Sequence, residues 1–351
     1  MNRKIFSVVG ARPQFIKAAA VERSISKLDR FRSEVVHTGQ HFDADMSDVF
    51  FDELEIPAPM HRLNISGGPH GQMTGRMLEA LDQLFSAKSP DAVLVYGDTN
   101  STLSGALAAA KLHIPVFHVE AGLRSFNRRM PEEINRVLTD HVSSLLFCPT
   151  EAAVDNLVQE GIRTGVHLVG DVMADATLAA KDRAHSQSRI LEKLGLEDGE
   201  YILCTLHRAE NTDDPARLIK LIEAVRKLAS GRTILFPVHP RTAKVCAAHS
   251  ISLDGFMTTA PLGYLDLQRL ISGSALVACD SGGLQKEAYF HRRPCVTLRE
   301  ETEWVETIEA GWNRLWTSPD WKHPRKEIDC YGDGHAGDKI AQVIADYLDT
   351  L

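Results

Sequence analysis

The 351-residue chain lacks the features that mark several large classes of protein. No run of about 18 apolar residues occurs, so we expect no transmembrane helix, and the apolar run before Arg12 is too short for the core of a signal peptide. The 39 lysines and arginines are outnumbered by 47 acidic residues. Because no overall positive field exists, nucleic-acid binding is disfavoured. We expect a cytoplasmic protein with neither a membrane nor a nucleic acid as partner.

The six cysteines lie far apart in the sequence, which fits neither a zinc site nor a disulfide framework. We expect reduced thiols, mostly in the core: Cys148, Cys204, Cys246, Cys279, Cys295 and Cys330. No Gly-x-Gly-x-x-Gly motif follows Val9, and no Walker sequence occurs, so dinucleotide redox chemistry and ATP hydrolysis lose their usual support. We expect no cofactor and no metal.

Short β-branched runs alternate with helical patterns along most of the chain, which predicts an α/β fold with parallel sheets. The polar stretch from Lys181 to Arg189 lacks sheet character and separates two series of candidate strands. We therefore predict two domains, residues 1–170 and 171–334. A C-terminal amphipathic helix at about 335–351 is expected to pack back on the first domain. The predicted strands are Lys4–Val9, Glu34–Thr38, Ala92–Tyr96, Val116–Val119, Leu145–Cys148 and His167–Val169, then Tyr201–Leu206, Thr233–Val238, Gly255–Thr258, Leu276–Cys279 and Cys295–Leu298.

Polar residues collect directly after these predicted strands, where open α/β sheets bind their ligands. Each such residue alone can equally serve as a helix cap or turn former, but seven groups together indicate a functional cleft. The groups begin at Gly10, Gly39, Gly97, Glu120, His207, His239 and Asp280. They bring acids, bases and cations to strand ends.

One of these groups has the character of a phosphate-binding turn. Ser281, Gly282 and Gly283 follow an apolar strand and open a helix, so backbone N–H groups there can approach phosphate oxygens, although the same string also makes a plain turn. Glu287, one helical turn later, can reach a ribose hydroxyl or remain a solvated acid. Cations that can neutralise a diphosphate without metal are Arg12, Lys17, Arg136, Arg208, His239 and Arg241.

Three carboxylates in the first half, Asp98, Glu120 and Glu132, are candidates for acid/base catalysis. Glu132 also has a simpler explanation, since Pro131 starts a helix whose dipole favours an acid in the first turn. Asp98 and Glu120 are the better candidates.

Several strings, in order along nearly the whole chain, resemble the non-hydrolysing UDP-N-acetylglucosamine 2-epimerases. They are GARPQFIK from Gly10, TGQHFD from Thr38, YGDTNST from Tyr96, HVEAGLRS from His118, PEEINR from Pro131, HRAEN from His207, PVHPR from Pro237, DSGGLQKEA from Asp280 and YGDGHA from Tyr331. The resemblance implies two Rossmann-like domains in a GT-B-type arrangement with an interdomain active-site cleft. It also implies a UDP-sugar substrate, a homodimer and inversion at C2 by UDP elimination and re-addition through a 2-acetamidoglycal.

The resemblance also assigns residues. Asp98, Glu120 and Glu132 match the acid/base carboxylates, and Lys17 and His207 match residues at the reacting sugar and diphosphate. Which carboxylate takes the proton in each direction does not follow from the sequence. Arg12 matches a residue at the diphosphate and reacting sugar, and Ser281, Gly282, Gly283 and Glu287 match the UDP-binding loop and helix. Arg136 and His239 are predicted to bind the substrate as cations.

Three departures from the family pattern favour one branch of it. The chain reads TGQHFDADM after Val36 and His37, HGQMTGRM from His70, and TEWVE where relatives commonly read TERPE, so Trp304 replaces an arginine. These strings look more like the branch that acts on UDP-2,3-diacetamido-2,3-dideoxy-glucuronate for surface polysaccharide (O-antigen) synthesis. Arg128 and Arg129 are candidates for the C6 carboxylate because guanidinium binds carboxylate in a bidentate fork.

Other functions remain open on the sequence. The first alternative substrate is UDP-N-acetylglucosamine. A hydrolysing epimerase, a GT-B glycosyltransferase and a non-catalytic sensor of UDP-sugars are further alternatives.

Overall fold

The computed structural model describes residues 3–40, 53–321 and 323–351. The chain divides into two compact units, Met1–Ala176 with Asp329–Leu351, and Thr177–Ile328. Each unit is built on a parallel sheet with helices, so the predicted α/β class is confirmed.

Within the described residues, the first unit has a seven-stranded sheet in the order β3-β2-β1-β4-β5-β6-β7. Its strands are β1 Arg3–Val9, β2 Phe31–His37, β3 His61–Arg62, β4 Ala92–Tyr96, β5 Val116–Val119, β6 Leu145–Cys148 and β7 Val166–Leu168. Its helices in chain order are α1 Arg12–Ile25, α2 His70–Lys88, α3 Asn100–Lys111, α4 Pro131–Val142 and α5 Glu151–Gln159. The division between the units falls inside helix α6, Val172–Gln187. This helix also contains most of the polar stretch from Lys181 to Arg189.

The second unit has, over its described part, a six-stranded sheet in the order β10-β9-β8-β11-β12-β13. The strands are β8 Tyr201–Thr205, β9 Thr233–Pro237, β10 Phe256–Thr259, β11 Leu276–Cys279, β12 Cys295–Thr297 and β13 Asn313–Leu315. The helices are α7 Ile190–Leu194, α8 Ala209–Thr212, α9 Pro215–Ala229, α10 Pro240–Ala248, α11 Tyr264–Gly273, α12 Gly282–Phe290 and α13 Val305–Glu309.

The C-terminal helix α14, Ala336–Leu348, lies on α1 of the first unit. Asp338 accepts a hydrogen bond of 2.7 Å from the Ser24 hydroxyl and pairs with Lys27 at the same distance. A Cβ at Gly337 would lie 2.8 Å from the carbonyl oxygen of Ala20, so glycine is needed where the two helices approach most closely. A short 3₁₀ helix, Asp329–Tyr331, precedes α14.

Alternating side chains of the strands fill cores on both faces of each sheet. In the first unit Met77, Leu81 and Phe85, spaced four residues apart on α2, pack against Phe6 and Val8 of β1. Burying one such side chain contributes about 1.5–3 kcal/mol, so this face fixes α2 on the sheet.

In the second unit Ile202 and Cys204 of β8 enter one core and Tyr201 and Leu203 enter the other. Because β8 pairs in parallel with β9 and β11, the carboxyl ends of these strands lie at the same edge of the sheet. Five cysteines are free thiols buried in the cores, and Cys330 is partly exposed.

Candidate active site

The polar strand-end groups belong to two different sheets. Those after β1, β2, β4 and β5 lie on the first unit, and those after β8, β9 and β11 lie on the second. His41, Phe42 and Asp43 of the group at Gly39, and the departure continuing to Asp45, lie outside the described residues.

Lys17 and Glu120 form a close ion pair at the carboxyl edge of the first sheet. Lys17 lies on α1 with 8% of its surface exposed, and Glu120 directly follows β5. Gly97, after β4, lies against this pair: a Cβ there would be 3.1 Å from Lys17 Nζ and 3.3 Å from Glu120 Oε2. Three chain segments therefore meet at one carboxylate and one ammonium group.

The backbone around this pair is held in unusual conformations. Glu120 has φ of +69°, in the left-handed region that only glycine enters without cost, and Gly97 has φ of +61°. Strained non-glycine residues of this kind concentrate at functional sites because the surrounding structure must hold them. The φ of Glu120 therefore supports the functional interpretation of this acid.

A buried network involving His118 holds this strained loop in place. His118 Nε2 donates a hydrogen bond of 2.7 Å to the carbonyl oxygen of Gly97, and its Nδ1 lies 2.7 Å from Asp140 Oδ1. Asp140 also accepts hydrogen bonds from the N–H of Gly122 and from Arg124. Burial alone would raise the pKa of Asp140, but His118 and Arg124 hold it below its usual value. The network keeps a charged carboxylate behind the Lys17 and Glu120 pair.

Asp98, the second predicted carboxylate, forms a close ion pair with Arg136 of α4. Arg136 also pairs with the buried Glu133 at 3.0 Å, and Asn135 donates a hydrogen bond of 2.9 Å to the backbone carbonyl of Asp98. Arg136, which the sequence assigns to substrate binding, thus also orients a catalytic candidate.

Glu133, next to the predicted Glu132, has a structural role. It accepts hydrogen bonds of 2.9 Å from the Ser125 N–H and hydroxyl and from the Phe126 N–H. Despite burial, these bonds and Arg136 lower the pKa of Glu133. Glu132 itself is partly exposed in the first turn of α4.

The loop before α4 carries Arg128 and Arg129, both exposed. Arg128 lines a surface cavity of about 340 Å³ together with Arg124 and Phe126. The N–H of Arg129 donates to Asn127 Oδ1 at 3.1 Å, which shapes the turn. Two glutamates, Glu133 and Glu160, also line this cavity, and Arg124 pairs with Glu160 at 2.7 Å, so the lining carries both signs of charge.

The start of α1 brings backbone unusually close to neighbouring segments. A Cβ at Gly10 would lie 2.2 Å from both Thr38 Oγ1 and Ser101 Oγ, so only glycine fits. Gln14 accepts hydrogen bonds from the N–H groups of Gly10 and Ala11 and thereby holds the turn. Arg12 follows in the first turn of α1, partly exposed.

In the second unit, the buried Asp280 organises the segment that carries His207. Its carboxylate accepts hydrogen bonds from the N–H groups of His207 (3.0 Å) and Arg208 (2.9 Å) and from Asn211 Nδ2 (3.1 Å). The ring of His207 lies 3.3 Å from the same carboxylate through Nδ1. His239 caps α10, and its ring centre lies 5.6 Å from that of His207. The structure brings these two predicted residues together.

The Ser281 to Gly283 turn has the geometry of a backbone-lined binding loop. Ser281 caps α12 by accepting a hydrogen bond from the Leu284 N–H. A Cβ on Gly282 would meet Glu303 Oε1 at 2.3 Å, whereas one on Gly283 would have no heavy atom within 4 Å. The turn is closely packed on one side and open on the other, as a phosphate-binding helix start requires.

Trp304, the residue that departs from the family pattern, is buried beside this turn with 6% exposure. The Lys286 ammonium group lies 3.9 Å from the centre of its ring, a cation–π contact. Glu303 next to it pairs with Arg299 at 2.8 Å. Burial would raise the pKa of Glu303, but Arg299 and Arg208 lower it. Trp304 therefore packs under α12 together with a lysine.

Comparison with known proteins now places the chain. A family model described as UDP-N-acetylglucosamine 2-epimerase matches residues 23–345. This chain is a member of the UDP-N-acetylglucosamine 2-epimerase family. It is accordingly an isomerase, and the predicted family resemblance is confirmed.

Individual relatives of this epimerase family member cover almost its full length. The UDP-2,3-diacetamido-2,3-dideoxy-D-glucuronate 2-epimerase of Pseudomonas aeruginosa is 48% identical, over 97% of this chain and 99% of that protein. A UDP-N-acetylglucosamine 2-epimerase homolog of Methanococcus maripaludis is also 48% identical, with the same coverage of both chains.

A solved structure agrees with the fold. The Methanocaldococcus jannaschii UDP-GlcNAc 2-epimerase, crystallised with UDP-GlcNAc and UDP, has a TM-score of 0.89 and 39% identity. The match covers 99% of this chain and all of that one. The GT-B-type fold predicted for this family member is thereby confirmed.

Metal-binding clusters and membrane-spanning helices are the last features of this epimerase family member to be considered. No group of three His, Cys, Asp or Glu side chains suited to a metal ion occurs among residues 3–40, 53–321 and 323–351. Within the same part of the chain, no helix combines the length and apolar character needed to cross a bilayer.

The sequence analysis missed the supporting residues of the site. His118, Asp140 and Glu133 touch the segments that carry the candidate carboxylates but were not singled out. His118 lies inside the HVEAGLRS string, which gave a signal, whereas Asp140 lies at the end of α4 in an unremarkable helical pattern.

Proposed function

We propose that the protein inverts C2 of UDP-2,3-diacetamido-2,3-dideoxy-glucuronate, giving the manno epimer. The observation that carries the proposal is the pair of cation-held carboxylates, Glu120 with Lys17 and Asp98 with Arg136, at adjacent strand ends of a UDP-sugar 2-epimerase family member. The identity of the substrate is supported by the Pseudomonas aeruginosa relative. The exposed guanidinium groups of Arg128 and Arg129, in the loop before α4, support a substrate with a carboxylate.

The reaction proceeds by elimination and re-addition. A carboxylate takes the proton from C2, the C2–H electron pair forms the C1=C2 double bond, and the C1–O bond breaks with UDP leaving as the anion. An acid then returns a proton to C2 on the opposite face, and the UDP oxygen re-forms the bond to C1. The product is the C2 epimer, and no electron is exchanged with a cofactor.

The first unit supplies the proton-transfer groups. Lys17 and Arg136 hold the carboxylates of Glu120 and Asp98 in place at adjacent strand ends, as a positioned general base requires. Because Arg136 is also bound to Glu133, the guanidinium group that holds Asp98 is itself fixed in position. Glu132, in the first turn of α4, is the third candidate.

The second unit supplies the nucleotide site. The N–H groups at the start of α12, with Ser281, Gly282 and Gly283, bind the diphosphate, whose negative charge suits the positive end of the helix. His207 and His239 lie on neighbouring strand ends and stabilise the leaving UDP. Arg12 stays a predicted substrate-binding residue. Glu287 accepts a hydrogen bond from the ribose.

The decisive experiment incubates the purified protein in D₂O with each UDP-sugar alone. We expect deuterium at C2 and the manno epimer from the diacetamido uronate, at a rate well above that with UDP-N-acetylglucosamine. Release of free sugar would indicate a hydrolysing enzyme. UDP binding without exchange would indicate a sensor. Transfer of the sugar to an added acceptor, without deuterium at C2, would indicate a transferase.

UDP-N-acetylglucosamine is the second candidate substrate, favoured by the equally similar Methanococcus maripaludis protein. A higher rate with that sugar in the same experiment would establish it. A homodimer, a cytoplasmic location and a role in surface polysaccharide synthesis remain predictions. Dimerisation is checked by light scattering of the purified protein.

A further inference from the structure

Behind the nucleotide site, three buried side chains form a continuous hydrogen-bonded line. Gln268 of α11 donates from Nε2 to Glu287 Oε1 of α12 at 2.9 Å. Gln268 Oε1 lies 2.6 Å from His291 Nε2, just beyond the end of α12. The exposed fractions are 5% for Glu287, 0% for Gln268 and 6% for His291. Three polar groups this deeply buried are ordered by each other rather than by water.

The chemistry of the groups sets the direction of both bonds. An amide oxygen only accepts, so His291 Nε2 must carry a proton and donate it to Gln268. This fixes the amide with its NH₂ group toward Glu287, since a flipped amide would place two acceptors together. The Gln268 amide therefore has one defined orientation, in which its NH₂ group donates a hydrogen bond to the carboxylate of Glu287.

The surroundings keep His291 neutral with its single proton on Nε2. Burial lowers the pKa of His291 to about 3, and the nearby Lys181, His185 and Arg293 act in the same direction. The ring therefore does not change charge near neutral pH. His291 acts as a fixed donor rather than as a proton carrier.

We propose that Gln268 and His291 are positioning residues that hold the Glu287 carboxylate for its hydrogen bond to the ribose of the nucleotide. The inference rests on the proposed function, which assigns Glu287 to the ribose. A carboxylate on a helix rotates about three side-chain bonds, and fixing it before the ligand arrives removes an entropic cost of binding. The pair acts through Glu287, not on the sugar carbon.

The test measures Kd by calorimetry for UDP and for 2′,3′-dideoxy-UDP, which lacks both ribose hydroxyls. Gln268→Leu should raise the Kd of UDP about 10-fold, the size of one lost hydrogen bond to a charged group, and leave that of the dideoxy compound nearly unchanged. In a Glu287→Ala background the same substitution should change neither Kd. Turnover should show the loss mainly in KM, with kcat nearly retained.

His291 provides a second and independent variant. His291→Gln places an amide donor near the former Nε2 position and should bind UDP almost as the unchanged protein does, whereas His291→Leu should reproduce the defect of Gln268→Leu. Ser274→Ala is the matched control. It removes a buried hydrogen bond of 2.9 Å to Ile271 at the end of α11, and should lower the melting temperature without a ribose-specific effect.

Two results from the variants would overturn the inference. The first is an equal loss of affinity for UDP and dideoxy-UDP in Gln268→Leu, and the second is a full effect that persists without Glu287. If the unchanged protein exchanges deuterium at C2 but the variants give either of these two results, only the positioning role fails. If it binds no UDP, both the positioning role and the proposed function fail.

Discussion

Gly97→Ala is the perturbation whose consequence the structure defines most closely. The new methyl group would lie 3.1 Å from Lys17 Nζ and 3.3 Å from Glu120 Oε2, so the ion pair must shift by a few tenths of an ångström. The backbone cost is separate, because φ of +61° disfavours any L-residue by about 1–2 kcal/mol. For a domain of this size, that cost lowers the melting temperature by roughly 2–8 °C.

Gly161→Ala separates the two effects. Gly161 belongs to the same unit and has φ of +86°, but a Cβ there has no heavy atom within 4 Å. Both variants should lose a similar amount of thermal stability. Only Gly97→Ala should also lose turnover, by about 10- to 100-fold, because small displacements of catalytic groups are costly.

The assay is the C2 epimerisation rate followed by NMR, alongside the melting temperature of each variant. Equal kcat values for Gly97→Ala and Gly161→Ala, at similar stability, would refute the inference that the Lys17 and Glu120 pair takes part in the reaction. Loss of turnover in both variants would show that backbone strain alone explains the defect.

Further predictions concern the other carboxylates and the arginines. Asp98→Asn should retain UDP binding in calorimetry while turnover falls by about 10²- to 10⁴-fold, the usual contribution of a positioned base; parallel losses of affinity and rate would contradict the assignment. Arg128→Ala and Arg129→Ala should each be compared on the two substrates by steady-state kinetics, and the one that binds the C6 carboxylate should slow the uronate far more than UDP-N-acetylglucosamine. Because the folded pKa of Asp140 is lowered, its ion pairs stabilise the protein fully above its unfolded pKa of about 3.9 and lose that contribution as the pH falls below it. Asp140→Asn should therefore lower the melting temperature at pH 7 and flatten its decline between about pH 5 and pH 3, whereas identical acid profiles would argue against a charged Asp140.

The strands were largely predictable because parallel strands buried on both faces read as continuous apolar runs. Ala92–Tyr96, Val116–Val119, Leu145–Cys148 and Leu276–Cys279 lie where the sequence predicts them. The strands His61–Arg62 and Asn313–Leu315 were missed, since two or three residues at the edge of a sheet carry no such run. Their strand character comes only from pairing with a neighbour, which local sequence does not encode.

The candidate site was predictable in part, because functional residues of open α/β sheets lie beyond the carboxyl ends of the strands. This rule found Asp98, Glu120 and the turn at Ser281, and the structure places each within two residues of the end of a strand. It could not show that Arg136 binds Asp98, because that contact depends on how α4 packs beside the sheet. Nor could it find Gln268, a single amide on an ordinary helix whose partners come from a different helix.

The breaking of the bond between the sugar and UDP is tested most directly by positional isotope exchange. A UDP-sugar substrate would carry ¹⁸O only in the oxygen that joins C1 to the β-phosphate. If UDP leaves and returns at each inversion, the label will scramble into the non-bridging β-phosphate oxygens as the C2 epimer accumulates. Epimer formation with the label held in the bridge would contradict the elimination and the site built for it.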